Sequence, residues 1–352
     1  VRPRVERWLN GVWYEGRAGA GWLAPLSVLF AVVAALRRVL YRGGLLGSYR
    51  STLPVVVVGN LSVGGTGKTP LTAWLVQQLA QRGVTAGVLM RGYGSAAEGP
   101  RRVVAGADAF DVGDEAALLR SLVPGPVVIA RDRAEGARML EAQGVQLIVC
   151  DDGLQHYALA RDLEIVVLDG ERGLGNGRLL PAGPLRERAA RLDDVDFVVI
   201  QSSLRALPGT PGAVVPASIP SVAPERELRM TLMAEDARSL EDPARRRALA
   251  DFREGPVHAV AGIGNPARFF AMLRAAGLEV VPHAFADHHR FTPTDLGYAD
   301  GRPILMTAKD AVKCRSFADA RMWEVPVAAA LSPDGGRALI ARVAALVPHL
   351  AG

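Results

Sequence analysis

The stretch GNLSVGGTGKTP, residues 59–70, sets a lysine and a threonine directly behind a cluster of glycines. That combination suits the binding of a triphosphate. Glycine-rich backbone folds into a ring of inward-pointing N–H groups at the positive end of a following helix, where anionic oxygens are held. Gly64, Gly65, Thr66 and Gly67 supply the ring, Lys68 carries a point charge to the β- and γ-phosphates, and the Thr69 hydroxyl completes a Mg²⁺ shell. One position departs from G-x-x-x-x-G-K-[ST], where Ser62 stands for the first glycine. The competing reading is a plain glycine turn capping a helix. A Gly-Lys-Thr between a strand-like and a helix-like run disfavours it.

Four further segments carry side chains suited to phosphoryl transfer. LIVCDDG, residues 147–153, is an apolar run ending in two carboxylates. In folds built around such a glycine loop, a neighbouring strand ends in an acid that serves the Mg²⁺ shell, so Asp151 is the natural metal ligand and Asp152 its neighbour. His156 follows, either as a donor behind the site or as a packed core histidine. Asp114, after Gly113 and ahead of AALLR, is placed to cap a helix or to act as a base on an acceptor hydroxyl. DHHRF, residues 287–291, sets an acid beside two imidazoles at a spacing unlike the helical zinc pattern, which leaves open an Asp–His pair that tunes a proton acceptor. NGRLLPAGPLRE, residues 176–187, is a Gly/Pro loop carrying Arg178, Arg186 and Glu187 that could bring an arginine to the γ-phosphate, although a loop arginine is most often solvated.

These residues need a scaffold, and the hydrophobic pattern supplies one. LPVVVV reads as a buried strand before the glycine loop and LTAWLVQQLAQRG as a helix after it. Further on, VTAGVLMRG, GPVVIA, VQLIVC, LEIVVLD and DFVVIQ read as strands, interleaved with the helical runs DEAALLRSLV and DRAEGARMLEAQG. The alternation predicts an α/β fold, a P-loop core with a mostly parallel sheet covered on both faces. Residues 206–225, rich in Pro and Gly, read as the way out of this core. A second α/β pattern follows: GPVHAVAGIG, LEVVPHAF, RPILMTAKD and WEVPVAAAL as strands, PARFFAMLRAAG and a C-terminal run as helices. GIGN lacks the third glycine of a dinucleotide fingerprint and reads as a tight strand-to-helix turn. The expected division is residues 1–50 as an N-terminal segment, 51–210 as the core and 211–352 as a smaller domain, whose last helix can return to the core.

The chain has 352 residues, enough for about two domains with cores of their own. Its two cysteines, Cys150 and Cys314, match no metal or redox spacing, which points to a reducing compartment without a disulfide framework. The net charge of +5 is unevenly spread: residues 1–50 hold eight arginines against two glutamates, and the remaining 302 residues sum to −1. A nucleic-acid groove across the body is therefore disfavoured. Residues 18–36 carry no charge; Trp8, Trp13, Tyr14 and Tyr41 flank them and Trp22 stands near their start. Length and flanks fit a helix lying in or dipping into a cytoplasmic leaflet, with Arg37, Arg38 and Arg42 near anionic headgroups. A buried helix of a soluble core is the alternative.

Taken in order, GNLSVGGTGKTP, RGYG (91–94), VGDEA (112–116), DDGLQH (151–156), GRLLPAGPLRE (177–187), DHHRF and TAKDAVKC (307–314) closely resemble the tetraacyldisaccharide 4′-kinase family over nearly the whole chain. The resemblance implies transfer of the ATP γ-phosphoryl group to the 4′-hydroxyl of an acylated glucosamine disaccharide 1-phosphate, at the cytoplasmic face of an inner membrane. No nucleic acid or obligate protein partner is implied. It makes Asp114 the base, assisted by one of the two histidines, of which His288 is preferred over His289 because it directly follows Asp287; assigns Asp151 and Asp152 to Mg²⁺; and brings Arg186 and Glu187 to the phosphates. Ala308 departs from the family's T-E-K-D pattern, which puts a role for that one position in doubt. From the P-loop alone, a soluble small-molecule kinase or a membrane-bound ATPase switch would also fit.

Overall fold

The computed structural model describes residues 2–96, 98–202 and 219–347. Val55–Gly59 is buried at every position, as four consecutive valines require of a strand covered on both faces. It pairs in parallel with Leu147–Asp151 on one side and Leu163–Asp169 on the other. Across the sheet the order is Val327–Leu331, Glu227–Ala234, Phe197–Ser202, Leu163–Asp169, Val55–Gly59, Leu147–Asp151, Ala86–Met90, Val127–Ile129, Arg101–Val103. Only the two outermost strands run antiparallel to their neighbours. The helix Lys68–Ala80 packs on one face through Leu71, Leu75, Val76 and Leu79.

A second sheet has the order Arg246–Arg247, Ala237–Ser239, Met322–Val325, Ile304–Thr307, Val257–Ala261, Val280–Ala284, with the last four strands parallel. The two sheets do not divide at residue 211. Residues 206–218 of the expected linker lie outside the described residues, and the first strand after them, Glu227–Ala234, still belongs to the first sheet. The smaller lobe is therefore an insertion between Ala234 and Val327, two residues paired in antiparallel register. WEVPVAAAL, expected as one strand, is two: Met322–Val325 ends the second sheet, and Val327–Leu331 begins anew in the first. Pro326 makes the break, since it cannot donate to a ladder. The final helix, Pro333–Ala344, packs onto the first lobe through Leu339, Ile340 and Val343. TAKD also divides, the strand stopping at Thr307 and the helix Ala308–Cys314 starting at once, with Thr307 as its cap.

At the N-terminus a helix over Arg2–Tyr14 precedes a longer one, Ala20–Arg42. Within the latter only Ser27 is buried. Trp22, Leu26, Leu29, Val32, Val33, Leu36 and Val39 are all exposed, and among the described residues this is the one helix long and apolar enough to cross a membrane.

Candidate active site

The in-register pairing of Val58 with Asp151 brings the start of the glycine loop and the first of the two carboxylates to the same edge of the sheet. Gly67, the residue before the helix, has φ +87°, a left-handed conformation that side chains resist, so the turn that aims Lys68 into the loop calls for glycine. Asp151 is 2 % exposed and accepts hydrogen bonds from the hydroxyls of Thr69 (3.3 Å) and Thr72 (3.2 Å). Burial pushes its carboxyl up to about 6, against the pull of the Lys68 charge and with the push of nearby Glu115 and Asp152. A buried carboxylate whose charge is this poorly compensated, beside a threonine hydroxyl, is an oxygen donor set that suits Mg²⁺. Among the described residues no group of three or more His, Cys, Asp or Glu side chains could hold a metal by itself. Mg²⁺ held by one or two carboxylates plus substrate phosphates needs no such group.

Asp152 sits at φ +51° and meets Lys68 Nζ at 3.4 Å and Arg186 Nη1 at 3.1 Å. Burial raises its carboxyl, but those two cations outweigh burial and hold it below the usual range. Arg186 is delivered by the Gly/Pro loop, which zips onto the glycine loop: Arg186 N donates to Leu61 O at 2.6 Å, Val63 N donates to Pro184 O at 2.9 Å, and Ser62 bridges Leu185. Ser62 is thus a buried pairing position. Glu187, which the resemblance implied near the phosphates, is tied to the residues behind the glycine loop. Its oxygens accept from Gln155 Nε2 (2.9 Å) and Tyr157 OH (2.6 Å), and Gln155 also donates to Asn60 O at the root of the glycine loop (3.2 Å). Arg178 is exposed. His156, half-buried near Arg133 and Arg91, is pushed down to about 4 by burial and those charges.

Asp114 opens the helix Asp114–Leu122 and is 6 % exposed. Gly113, not Asp114, is the cap. It has φ +89°, and a side chain on it would drive into the Tyr93 carbonyl at 2.5 Å, so glycine is required where this turn packs under the RGYG loop. The Asp114 carboxylate faces the second lobe, where His288 Nδ1 lies 2.9 Å from Oδ2 and 3.1 Å from Oδ1. Burial raises the Asp114 carboxyl, but His288, Lys309 and Lys313 together bring it below the usual range. The bond to Asp114 raises the His288 imidazole. Tyr93 packs on that ring, and Asp287 accepts the His288 N–H at 3.0 Å. His289 turns away to Asp295 (3.4 Å), between Phe285 and Phe291.

Sequence reasoning overlooked two parts of this junction. Arg268, on the helix Pro266–Ala275 of the smaller lobe, donates to Asp169 (3.0 Å), Glu171 (2.9 Å) and Gln201 (2.9 Å) of the larger lobe. GIGN, read only as a turn, brings Gly264 so near the glycine loop that a methyl group on it would stand 4.0 Å from the Gly65 amide nitrogen. Neither is visible from spacing, because both depend on how the lobes close on each other.

Three comparisons with known proteins agree with this geometry. A family model described as tetraacyldisaccharide-1-P 4′-kinase matches residues 20–345. Relatives named tetraacyldisaccharide 4′-kinase include one from Azoarcus sp. (strain BH72), 50 % identical over 323 residues and 91 % of each chain. Another, from Shewanella baltica (strain OS195), is 44 % identical over 342 residues and 96 % of each chain. A crystal structure of LpxK from Aquifex aeolicus in complex with ATP superposes with a TM-score of 0.76 at 27 % identity, covering 93 % of this chain and 99 % of that one. With a glycine loop, an acidic strand end and an Asp–His contact closing one cleft, and with matches that run almost end to end, the chain belongs to the tetraacyldisaccharide-1-P 4′-kinase family.

Proposed function

We propose that this enzyme moves the γ-phosphoryl group of Mg²⁺–ATP to the 4′-hydroxyl of an acylated glucosamine disaccharide 1-phosphate drawn from the cytoplasmic leaflet of an inner membrane. As a member of its family it is an ATP-dependent kinase acting on a lipid A precursor. The observation that carries the residue roles is the contact of Asp114 with His288 across the lobes, at the same junction where Gly264 meets the glycine loop.

In this reading the amides of Gly64, Gly65, Thr66 and Gly67 cradle the phosphates and Lys68 neutralises their charge. Thr69 and Asp151 would hold Mg²⁺, which when bound would spread the charge that develops on the transferring group. Asp152 holds Lys68 and Arg186 together, and both cations serve the γ-phosphate. Asp114, ionised at neutral pH, accepts the hydroxyl proton of the acceptor, and His288 orients the carboxylate. Glu187 supports the site through Gln155 and the Asn60 carbonyl rather than by touching a phosphate.

The lipid acceptor explains the exposed apolar face of Ala20–Arg42. Drawing a dozen methylenes out of a bilayer costs about 10 kcal/mol, so the enzyme has to go to its substrate. Arg38 and Arg42, expected at headgroups, both contact Asp194, so they anchor the helix to the body. Ser27 ties it to the Gly/Pro loop, accepting from Ala182 N and donating to Leu179 O, each at 2.9 Å. The test is incubation with γ-labelled ATP and the disaccharide 1-phosphate in detergent micelles. Label on the lipid supports the proposal, and label released only as inorganic phosphate refutes it.

A further inference from the structure

The TAKDAVKC segment supplies two lysines one helical turn apart, and both reach the carboxylate of Asp114. Lys309 Nζ and Lys313 Nζ each lie 3.9 Å from Asp114 Oδ2, the oxygen that also meets His288. Their other partners differ. Lys313 is buried and bound within its own lobe, 2.7 Å from Asp310 Oδ1 and over the Phe291 ring. Asp310 is itself fixed by Gly262 N (2.8 Å) and Thr307 Oγ1 (2.6 Å). Lys309 instead spans the junction, 3.2 Å from Asp287 of its own lobe and 3.1 Å from Glu115 of the larger one.

We propose that Lys309 is a positioning residue for phosphoryl transfer: its ammonium gathers Asp287, Glu115 and Asp114 from opposite lobes and thereby fixes the Asp114–His288 pair across the cleft. Three carboxylates converging on one point repel one another unless a cation sits among them. Asp287 is also the residue that holds the backbone N–H of His288. Without Lys309, the acid that steadies His288 faces Glu115 and Asp114 with only the His288 ring and Lys313 to offset them, and Lys313 is committed to Asp310. The side chain is 17 % exposed, so water screens the interaction little. The inference rests on the reading of Asp114 as the base.

Kinetics of the full-length enzyme with Mg²⁺–ATP and the acylated disaccharide 1-phosphate in detergent test it, using Lys309→Met, Lys309→Arg and Asp114→Asn. The charged groups facing Asp114 are His288, Lys309 and Lys313, with Glu115 on its own helix and Asp287 behind His288. Removing one cation favours the protonated carboxyl, so the acidic limb of the kcat profile moves to higher pH in Lys309→Met. At the optimum kcat falls up to about a hundredfold with KM for ATP unchanged, the scale of a catalytic group misplaced by about an ångström. Lys309→Arg restores most of the rate and the position of the limb. Lys309→Gln reads the same quantities should the methionine variant fail to fold. An unmoved limb, a loss confined to KM for ATP, or an arginine variant no better than methionine overturns the proposal. If Asp114→Asn keeps full activity, the base assignment and this inference both fall. If Asp114→Asn is inactive while the limb in Lys309→Met stays put, only the inference falls.

Discussion

His288 Nδ1 and Asp114 Oδ2 lie 2.9 Å apart although 174 residues separate them, and they come from different lobes. The proposed base thus takes its orienting partner from the smaller lobe. Asp114→Asn preserves shape and removes basicity. A fall in kcat of about 10²- to 10⁴-fold is expected, with KM for ATP changed little. The variant also removes the buried charge that meets His288, Lys309 and Lys313, so the melting temperature should fall by several degrees while the protein stays folded at assay temperature. Retained activity with a large loss of thermal stability would assign Asp114 a structural role.

The same contact makes stability depend on pH in a defined direction. Its bond to Asp114 raises the His288 imidazole in the folded protein. The stabilisation it contributes is then fully present below the unfolded histidine value and is lost as pH rises through the higher folded value. Melting curves of the wild type and His288→Ala should differ most below about pH 6.5 and converge above the folded value. His289→Ala should keep near wild-type kcat, because its partner is Asp295. A pH-independent gap between the wild type and His288→Ala would count against this account.

Asp151 predicts a trade-off between stability and function. Its carboxyl is raised to about 6 by burial, so the charged form at neutral pH weakens the fold relative to the unfolded chain. Here the sign is opposite to that of a salt-bridged acid: stability is fullest below the unfolded carboxyl value and drains away as pH rises through about 6. Asp151→Asn, measured without Mg²⁺ at pH 7.5, should melt higher than the wild type and lose at least a hundredfold in kcat. A lower melting point in that variant would show that the Thr69 and Thr72 hydroxyls depend on the second carboxylate oxygen.

The N-terminal helix yields a prediction about membranes that leaves the fold alone. Val32 and Leu36 are 58 % and 56 % exposed, one helical turn apart. Changing both to glutamate removes about 1.5–3 kcal/mol of apolar transfer at each position on a bilayer. Binding to anionic phospholipid vesicles should be lost, while the melting temperature shifts by a degree or two at most. Undiminished sedimentation with vesicles would remove this helix as the attachment.

The larger lobe was legible in the sequence because its strands are continuous apolar runs and its loops carry chemistry at fixed offsets. LPVVVV, LIVCD and LEIVVLD are buried on both faces, so period and length agreed with what formed. The exchange of strands between sheets was not legible. RELRMTLMA alternates in burial and belongs to the first sheet, and only Pro326 hints that WEVPVAAAL is divided. The placement of Lys68 and Thr69 at the helix start behind the glycine loop, and of Asp151 at a strand end, follows from local pattern. Choosing His288 over His289 took the family resemblance and the position next to Asp287, and their different partners emerge only in three dimensions. Arg268 and Lys309 depend wholly on which lobe faces which, and no local pattern reports that.

The pairing of Ala234 with Val327 gives the smaller lobe an unusual kind of attachment. The chain leaves and re-enters through neighbouring strands, so the lobe hangs from a two-ply strap instead of a single thread. Such a strap resists twisting and yields mainly to bending, which restricts opening of the cleft to something close to a clamshell swing about one axis. Any such swing would carry His288 and Lys309 to Asp114 along one arc.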